Sequence, residues 1–561
     1  MKIPYLPKKP EKKSCHNIEW EDNYSWIHQT NILEVLKDSS KLLPEVRKYL
    51  EEENAFAEHH LKETKDTQKK LFNEIKGRIK LDDESLPYKD VEYEYWTKTT
   101  TEGNYSIKLR KKIGTDKIEE IWNGDKEKEK LDTKYFGVGD LEVSWDDKYL
   151  GYSLDLKGSE YYTILIRDIL TNKLVTEKIE DTSGSIVFSL DDKYIFYSKL
   201  DKFHRPRKIL RHKIGTSVKN DELIFEEKSE AFTVGIGLSS DEKYFFITSS
   251  DHNTSEQYYF KVEEENPKPK MIKERKKGII YSVNSWNNNF YMHTNENAED
   301  FKIDVCKDLL NQKWESYIPA KNEILIGGLT FLNNWILRAE ISNALAKIFA
   351  KNVKTNIEEE IIFTEEKVID PSVSLIQKDR NTDYVHLSYS SPKTQGRVYL
   401  YNLKTKQNKL VKEQEIPSGH NPNDYIVERL ECSSHDGRMV PITITRKKNT
   451  KIDGSANLLL YGYGSYGSSM TPSFSSTRLS IINRDIIWVT AHVRGGMERG
   501  MKWWKEGKLT NKKNTFEDYI AVAKFLIEKK YTSKEKIIGM GGSAGGLLMG
   551  AVANKTPELF L

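Results

Sequence analysis

The segment KIIGMGGSAGG, residues 536–546, decides the fold of the C-terminal part of the chain. It joins an apolar strand pattern to a glycine-rich turn, and a helix-forming run with Leu547, Leu548 and Met549 follows. The turn fits G-x-S-x-G, in which a strained strand-to-helix elbow exposes a nucleophilic serine. We therefore predict Ser543 as a nucleophile and the Ala544 N–H as a donor to an oxyanion. A glycine turn without chemistry is the alternative.

The sequence before this elbow predicts a layered α/β structure. Continuous apolar runs at residues 456–461 and 486–493 are typical of strands that are buried on both faces of a sheet. Residues 515–518, TFED, resemble a capping box that opens a helix. Strands that alternate with helices, together with the elbow, predict a doubly wound α/β-hydrolase domain over residues 421–561.

A second glycine-rich loop, YGYGSYG at residues 461–467, directly follows the first of these buried runs. At this place an α/β-hydrolase carries its second oxyanion donor, which a backbone N–H or a tyrosine hydroxyl could supply. A phosphate-binding loop is the competing interpretation. No Gly-Lys-Ser/Thr sequence follows, and no helix pattern begins immediately, so the sequence argues against it.

Residues 81–420 consist of short β-branched and aromatic runs that repeat. The motif DDKYL at residues 146–150 returns as DDKYI at 191–195 and as DEKYF at 241–245, with weaker echoes further on. The aromatic markers are spaced by 45 to 50 residues, at Tyr149, Tyr194, Tyr244, Phe290, Trp335 and Tyr384. A turn and strand that recur at this period are typical of propeller blades. We therefore predict a seven-bladed β-propeller rather than a β-sandwich, and expect the markers to occupy equivalent positions in successive blades.

Residues 1–80 are predicted to form a helical segment that packs on the hydrolase domain. Pro44 stands at a helix start, and Leu71, Ile75 and Ile79 recur at the spacing of one helical stripe. No apolar run is long enough to span a membrane, and no secretory signal is visible. With 88 Lys and Arg against 85 Asp and Glu among 561 residues, the charge gives no reason to expect a nucleic-acid partner. Three scattered cysteines predict neither a disulfide framework nor a metal site, and we expect a cytoplasmic protein without cofactors.

The motifs together resemble the prolyl oligopeptidase family of serine peptidases, and within it the oligopeptidase B group. The resemblance rests on four collinear segments: LLLYGYGSYG (458–467), AHVRGG (491–496), WKEGK through KNTF (504–516) and MGGSAGG (540–546). It implies a seven-bladed propeller with an α/β-hydrolase domain that cleaves short peptides after Lys or Arg. It also implies that Ser543 is the nucleophile, and that the Tyr463 hydroxyl forms the oxyanion hole with the Ala544 N–H.

The sequence also departs from the family pattern. Residues 544–561 contain neither Asp nor His, although the triad order of α/β-hydrolases is Ser, then an acid, then His. Met497 stands where the family commonly continues a glycine run. The loop after the oxyanion tyrosine reads TPS at residues 471–473 where acids are common. We therefore expect a chain that is truncated shortly after the nucleophile and that hydrolyses peptides poorly by itself. A separate C-terminal fragment could complete it.

An upstream triad of His492, Asp518 and Ser543 is conceivable from sequence order. That order belongs to a different fold, and His492 lies within an apolar run, so a structural histidine is the better interpretation. Three hypotheses about function remain. The chain is a serine oligopeptidase that is completed elsewhere, a catalytically inactive truncated remnant, or a propeller-based binding protein.

Overall fold

The computed structural model describes residues 1–561, which form two compact units. One unit contains residues 1–74 and 128–236, and the other contains residues 75–127 and 237–561. None of the helices is long and apolar enough to cross a membrane.

The smaller unit begins with a two-stranded hairpin that the sequence analysis did not predict. Its strands, Glu11–Cys15 and Ile18–Asp22, are joined by His16 and Asn17, which both have a positive φ. The helices Ile32–Lys37, Pro44–His60 and Lys65–Lys76 follow, the last of them reaching two residues into the larger unit. Pro44 occupies the first turn of its helix as predicted, because its missing N–H has no partner there anyway.

Residues 128–236 of the smaller unit contain one continuous seven-stranded antiparallel sheet. Its strands are Gly137–Val143, Tyr149–Asp155, Tyr162–Asp168, Ile179–Phe188, Tyr194–Leu200, Pro206–Lys213 and Glu222–Glu226. The ten-residue strand Ile179–Phe188 pairs through its first half with Tyr162–Asp168 and through its second half with Tyr194–Leu200. This strand therefore joins two repeats into a single sheet.

Four sheets of four strands and one of five strands follow the pattern of single blades. The five-stranded sheet contains Asp83–Glu84, Tyr88–Lys89, Tyr93–Thr99, Ile107–Lys112 and Ile118–Asn123. The next two contain Thr233–Leu238, Tyr244–Ser250, Ser255–Lys261 and Lys270–Lys273, and then Tyr281–Trp286, Asn289–Thr294, Lys302–Cys306 and Glu315–Ile318. The last two contain Leu325–Phe331, Trp335–Ser342, Leu345–Asn352 and Glu358–Glu360, and then Asp370–Ser374, Tyr384–Ser390, Arg397–Asn402 and Asn408–Glu413. Apart from the strand Thr233–Leu238, which contains the boundary between the units, these sheets lie in the larger unit.

The prediction of seven separate blades is wrong. Five sheets have the size of a blade, and the remaining strands form the seven-stranded sheet, because Ile179–Phe188 is shared between two repeats. The repeat itself is real. Five of the six aromatic markers begin the second strand of a repeat, and Phe290 is the second residue of its strand. The turns before them contain a left-handed residue at Asp147, Asp192, Glu242 and Asn288.

Residues 425–561 of the larger unit form the predicted α/β layer structure. The strands, named here in chain order, are β1 (Tyr425–Ser433), β2 (Met439–Lys447), β3 (Leu458–Tyr461), β4 (Ile487–Ala491) and β5 (Ile537–Met540). Their order in the sheet is β1-β2-β4-β3-β5, in which β3 runs parallel to both β4 and β5. The helices are α1 (Ser476–Ile482), α2 (Gly500–Lys505), α3 (Lys513–Glu528) and α4 (Ala544–Lys555).

The core of this layer structure explains why the two apolar runs are continuous. Leu458, Leu460, Val489 and Ile537 are fully buried, because helices cover the sheet. Tyr519 on α3 also joins this core. Full burial of one such side chain contributes about 2 kcal/mol to stability, so these strands are firmly held.

Helix α2 joins the layer structure to the blade-like sheets within the larger unit. Its residues Met501 and Trp504 share an apolar cluster with Trp286 and Phe331. The Met501 N–H also donates to Asp300 Oδ1 at 2.7 Å. A side chain at Gly500 would place its Cβ 2.1 Å from the same carboxylate oxygen, so only glycine fits there.

Candidate active site

Two loops begin side by side at the carboxyl edge of the sheet. Because β3 and β5 are adjacent and parallel, with Tyr461 opposite Met540, the segments after them start from the same edge. The loop after β3 is the glycine-rich segment 462–467, and the segment after β5 is the elbow at Gly541–Gly545. The Gly462 N–H donates to the Met540 carbonyl at 3.1 Å, which fixes the start of the first loop against β5.

The elbow holds Ser543 in a strained conformation. Ser543 has φ 53° and ψ −122°, a region that costs a residue with a side chain about 1–3 kcal/mol. A Cβ at Gly541 would lie 2.7 Å from the Gly545 carbonyl oxygen and 2.9 Å from that of Gly462, so only glycine permits this turn. Ser543 is exposed, and its side chain makes no hydrogen bond within the chain. The turn thus presents a free hydroxyl to solvent.

Both predicted oxyanion donors lie next to the elbow. Ala544 is the first residue of α4, and its N–H has no backbone acceptor, as is usual for the first turn of a helix. Tyr463 is half-buried and lies against the elbow, because a Cβ at Gly545 would be 3.4 Å from its Cδ2 atom. The structure therefore brings Tyr463, Ser543 and Ala544 into one region, as a tetrahedral intermediate at Ser543 would require.

The structure does not assemble the upstream triad. The Nε2 atom of the fully buried His492 accepts from Arg429 Nη1 at 2.9 Å and lies 2.7 Å from Thr443 Oγ1. Asp518 is bound to Arg494 instead, and neither His492 nor Asp518 hydrogen bonds with Ser543. Burial, with the positive charge of Arg429, holds the pKa of His492 well below its ordinary value, so this imidazole is neutral.

Two titratable residues bind the glycine loop or the segment after it, and the sequence alone did not predict their role. Glu498 is buried, and its Oε1 atom accepts from the Met470 N–H at 2.9 Å. The Nζ atom of Lys512 donates to Ser465 Oγ at 2.8 Å and to the carbonyl of Gly464. These contacts join residues 28 and 47 or 48 positions apart, and no local pattern encodes them. Met497, which departs from the family pattern, fills space beside Gly467.

We expect Glu498 to make stability fall as the pH rises from about 4.5 to 7. Burial raises the pKa of Glu498 from 4.5 to about 7, so in this window the folded chain holds a proton that the unfolded chain has released. The full effect is about 3 kcal/mol. His492 has the opposite effect below pH 6.5, where it makes stability rise with pH, because its pKa is lowered in the folded chain.

Glu498→Gln isolates the contribution of the carboxyl group and keeps an oxygen that can accept from the Met470 N–H. Relative to the unmodified protein, this variant should gain about 3 kcal/mol of unfolding free energy between pH 5 and pH 8. Urea titrations at each pH measure the difference. A difference that does not change with pH would contradict the assigned pKa.

Comparison with known proteins decides the family. Residues 4–414 match the family described as prolyl oligopeptidase, N-terminal beta-propeller domain, and residues 472–561 match the prolyl oligopeptidase family. Dipeptidyl aminopeptidase BI of Pseudoxanthomonas mexicana is 31% identical over 99% of this chain and 78% of that protein. The chain belongs to the prolyl oligopeptidase family. This family consists of serine peptidases, which confirms the predicted family and supports peptidase activity.

Further members of the family are similar over the whole chain. Protease 2 of Moraxella lacunata is 31% identical over 100% of this chain and 80% of that protein. Oligopeptidase B from Leishmania major has a TM-score of 0.92 and 25% identity, covering 100% of this chain and 81% of that one. Oligopeptidase B from Trypanosoma brucei, in its closed form, has the same TM-score and 26% identity. These similarities give no support to a separate C-terminal polypeptide as a partner.

Proposed function

We propose that this chain is a serine-type oligopeptidase that hydrolyses short peptides after Lys or Arg. In this proposal Ser543 is the nucleophile, and the Tyr463 hydroxyl and the Ala544 N–H stabilise the oxyanion. The observation that carries the proposal is the strained Ser543 elbow at the end of β5, beside the Tyr463 loop at the end of the adjacent parallel strand β3. A free hydroxyl and unused donors in one place suit acyl transfer.

The preference for Lys and Arg is proposed from the similarity to Protease 2 and to the oligopeptidase B structures. The trypanosomal structure holds covalently bound antipain, which makes a covalent adduct at the nucleophile a suitable probe here. We also propose a cytoplasmic location, since Cys15, Cys306 and Cys432 are all free thiols. We also propose that the chain is divided into an N-terminal helical segment (residues 1–80), a propeller region (81–420) and a hydrolase domain (421–561).

A propeller-based binding protein is the second candidate, and a cavity in the larger unit favours it. The cavity has a volume of about 690 Å³ and is lined by turns of the blade-like sheets, including Glu242, Asn288 and Arg380. Its lining mixes both signs of charge with amide groups, so it suits a polar ligand rather than an apolar one. A binding protein of this kind would not need a reactive Ser543.

A panel of peptide boronates tests the proposal. The boron atom of such a compound forms a tetrahedral adduct with a reactive serine, and this adduct resembles the tetrahedral intermediate of peptide hydrolysis. Boronates with Arg or Lys at P1 should bind the chain at least about tenfold more tightly than those with Pro or Ala, if the preference proposed from Protease 2 and oligopeptidase B holds. Calorimetry measures the affinities, and matched p-nitroanilides measure turnover.

The outcomes separate the three hypotheses. Tight binding of the Arg boronate with enzyme-like turnover supports the oligopeptidase. Adduct formation without turnover supports the catalytically inactive alternative. No adduct with any boronate, and a polar ligand bound at the cavity, supports the binding protein. Equal affinity for all P1 side chains would contradict the preference for Lys and Arg.

A further inference from the structure

Lys512 is a partly buried cation whose hydrogen bonds all go to the glycine-rich loop. It lies between the short 3-10 turn Leu509–Asn511 and the start of α3. Its Nζ atom donates to Ser465 Oγ at 2.8 Å and to the Gly464 carbonyl. No carboxylate lies within 4.0 Å of this nitrogen, so Lys512 is not part of an ion pair. Its ammonium group instead donates hydrogen bonds to two neutral oxygen atoms of one loop.

The residue that Lys512 holds is the one that follows Tyr463. Gly464 has φ +66°, and a Cβ there would lie 2.4 Å from Thr515 Cγ2 and 2.9 Å from the Arg494 carbonyl oxygen. Gly464 is thus packed against the chain on one side, and its carbonyl is bound by Lys512 on the other. This carbonyl belongs to the peptide group that begins one residue after Tyr463, so its hydrogen bond with Lys512 restricts the backbone next to the Tyr463 side chain.

Side-chain hydrogen bonds to this part of the loop come from Lys512 alone. Residues 463–467 accept no other side-chain hydrogen bond, and the next anchor of the loop is the backbone bond from the Gly467 N–H to the Gly495 carbonyl at 2.9 Å. Glu498 holds the loop further on, through Met470. Between Gly462 and Gly467, Lys512 is therefore the side chain that holds the loop by hydrogen bonds.

We propose that Lys512 is a positioning residue of the oxyanion hole. By binding Gly464 and Ser465, its ammonium group keeps Tyr463 in place beside the elbow. This inference rests on the proposed roles of Ser543 and Tyr463. It assigns Lys512 no contact with substrate, and its effect on an oxyanion passes through the loop.

The charge state of Lys512 adds a pH dependence. Burial lowers the pKa of Lys512 from 10.5 to about 8. The groups that face its Nζ atom from the loop, a carbonyl and a hydroxyl, do not titrate in this range, and no carboxylate pairs with it. Loss of the proton above pH 8 removes the charge that strengthens both hydrogen bonds. The loop should therefore be held less firmly as the pH rises through about 8.

The test measures binding of a dipeptide boronate with Arg at P1 to the full chain between pH 6 and pH 10. Lys512→Gln should weaken binding about 10- to 100-fold at pH 7, because a displaced donor stabilises the tetrahedral adduct less well. The affinity of the unmodified protein is divided by that of the variant at each pH, so the effect of boronate ionisation on binding cancels. This ratio should shrink above pH 9, where the native lysine is also neutral. Lys512→Arg, which stays charged, should restore binding at neutral pH and lack that alkaline change.

Lys508→Gln is the matched control. Lys508 is also partly buried with a lowered pKa, but it donates to Asn253 Oδ1 at 2.9 Å and not to the glycine loop. The Lys508→Gln substitution should change the affinity for the boronate less than about threefold. Hydrogen exchange followed by mass spectrometry gives a second readout, in which residues 463–467 should exchange faster in Lys512→Gln while the strands of the sheet stay protected.

Each outcome decides the inference. Equal boronate affinity of Lys512→Gln and the unmodified protein at every pH would overturn it and leave the proposed function standing. Faster exchange throughout the sheet would overturn it as well, because it would show a general loss of stability. If the unmodified protein forms no adduct, the proposed function fails and the inference fails with it. Loss of affinity in Lys512→Gln, rescued by arginine and with exchange confined to the loop, supports it.

Discussion

Replacing Ser543 with alanine is expected to remove the chemistry of this chain while leaving its fold intact. Any hydrolysis of a peptide with Arg at P1 beyond the rate that the oxyanion hole and substrate binding give should be lost, because only these two remain without the nucleophile. Binding of the matching boronate should weaken at least about 1,000-fold, since the boron–oxygen bond cannot form. Calorimetry and progress curves measure the two effects.

The stability of the alanine variant should stay close to that of the unmodified protein. Ser543 has a positive φ of 53°, and alanine in its place keeps the Cβ and therefore most of the strain. Its hydroxyl makes no hydrogen bond within the chain, so its removal leaves no buried partner unsatisfied. Ser543→Gly, which relieves the backbone strain, should raise the free energy of unfolding by about 1 kcal/mol and be as inactive as the alanine variant.

Ser468→Ala is the matched control for this prediction. Ser468 is an exposed serine at the end of the glycine-rich loop, and its side chain makes no hydrogen bond within the chain. Its replacement should leave both turnover and boronate affinity within about twofold. Activity that survives Ser543→Ala and is lost in Ser468→Ala would mean that the elbow is not the reactive site.

The sequence predicted the parts of this structure that local pattern determines. Leu458 and Leu460 lie in a continuous apolar run, and a strand buried on both faces is the structure that such a run favours. Ser543 could be placed at an elbow because only glycines on both sides allow the close contact of Gly541 with Gly545. The aromatic markers of the blade-like sheets were found for the same reason, since each follows a polar turn directly.

The features that sequence reasoning missed depend on contacts between distant residues. The blade count failed because one long strand, Ile179–Phe188, pairs on both sides and joins two repeats, and a repeat period does not show how sheets merge. Lys512 and Glu498 could not be assigned to the glycine loop, because lysine and glutamate are ordinary surface residues in a chain this rich in charge. Only the tertiary structure shows that both are withdrawn from solvent.

Replacing Asp518 with alanine is expected to cause the largest loss of stability among these variants, about 3–5 kcal/mol, because it breaks a buried ion pair. Asp518 is fully buried on α3, and its Oδ2 atom accepts from both the backbone N–H and the Nε of Arg494 at 2.9 Å. Its Oδ1 atom accepts from Arg494 Nη2 at 2.6 Å and from Ser434 Oγ at 2.5 Å. The variant leaves the guanidinium, which is 1% exposed, without its main counter-charge.

Two further variants distinguish loss of the ion pair from loss of packing. Asp436 also binds Arg494 but is 35% exposed, so Asp436→Ala should cost only about 1 kcal/mol. The double variant Asp518→Leu with Arg494→Met removes both charges and should recover much of the stability, because no buried charge remains. Urea titrations followed by tryptophan fluorescence give the unfolding free energies, with Trp503 and Trp504 close to Arg494 in sequence.

Loss of the Asp518 carboxylate should also disturb the glycine-rich loop. Arg494, the partner of Asp518, lies directly before Gly495, which binds the loop. The Gly495 carbonyl accepts from the Gly467 N–H, and the Arg494 carbonyl accepts from Thr515 Oγ1 at 2.7 Å. At temperatures where Asp518→Ala is still folded, its boronate affinity should therefore fall about tenfold, while Asp436→Ala keeps the affinity of the unmodified protein. If Asp518→Ala and Asp436→Ala were equally stable, the buried pair would contribute no more than an exposed one. The conformation of the loop would then depend on Lys512 and Glu498 rather than on the core beneath it.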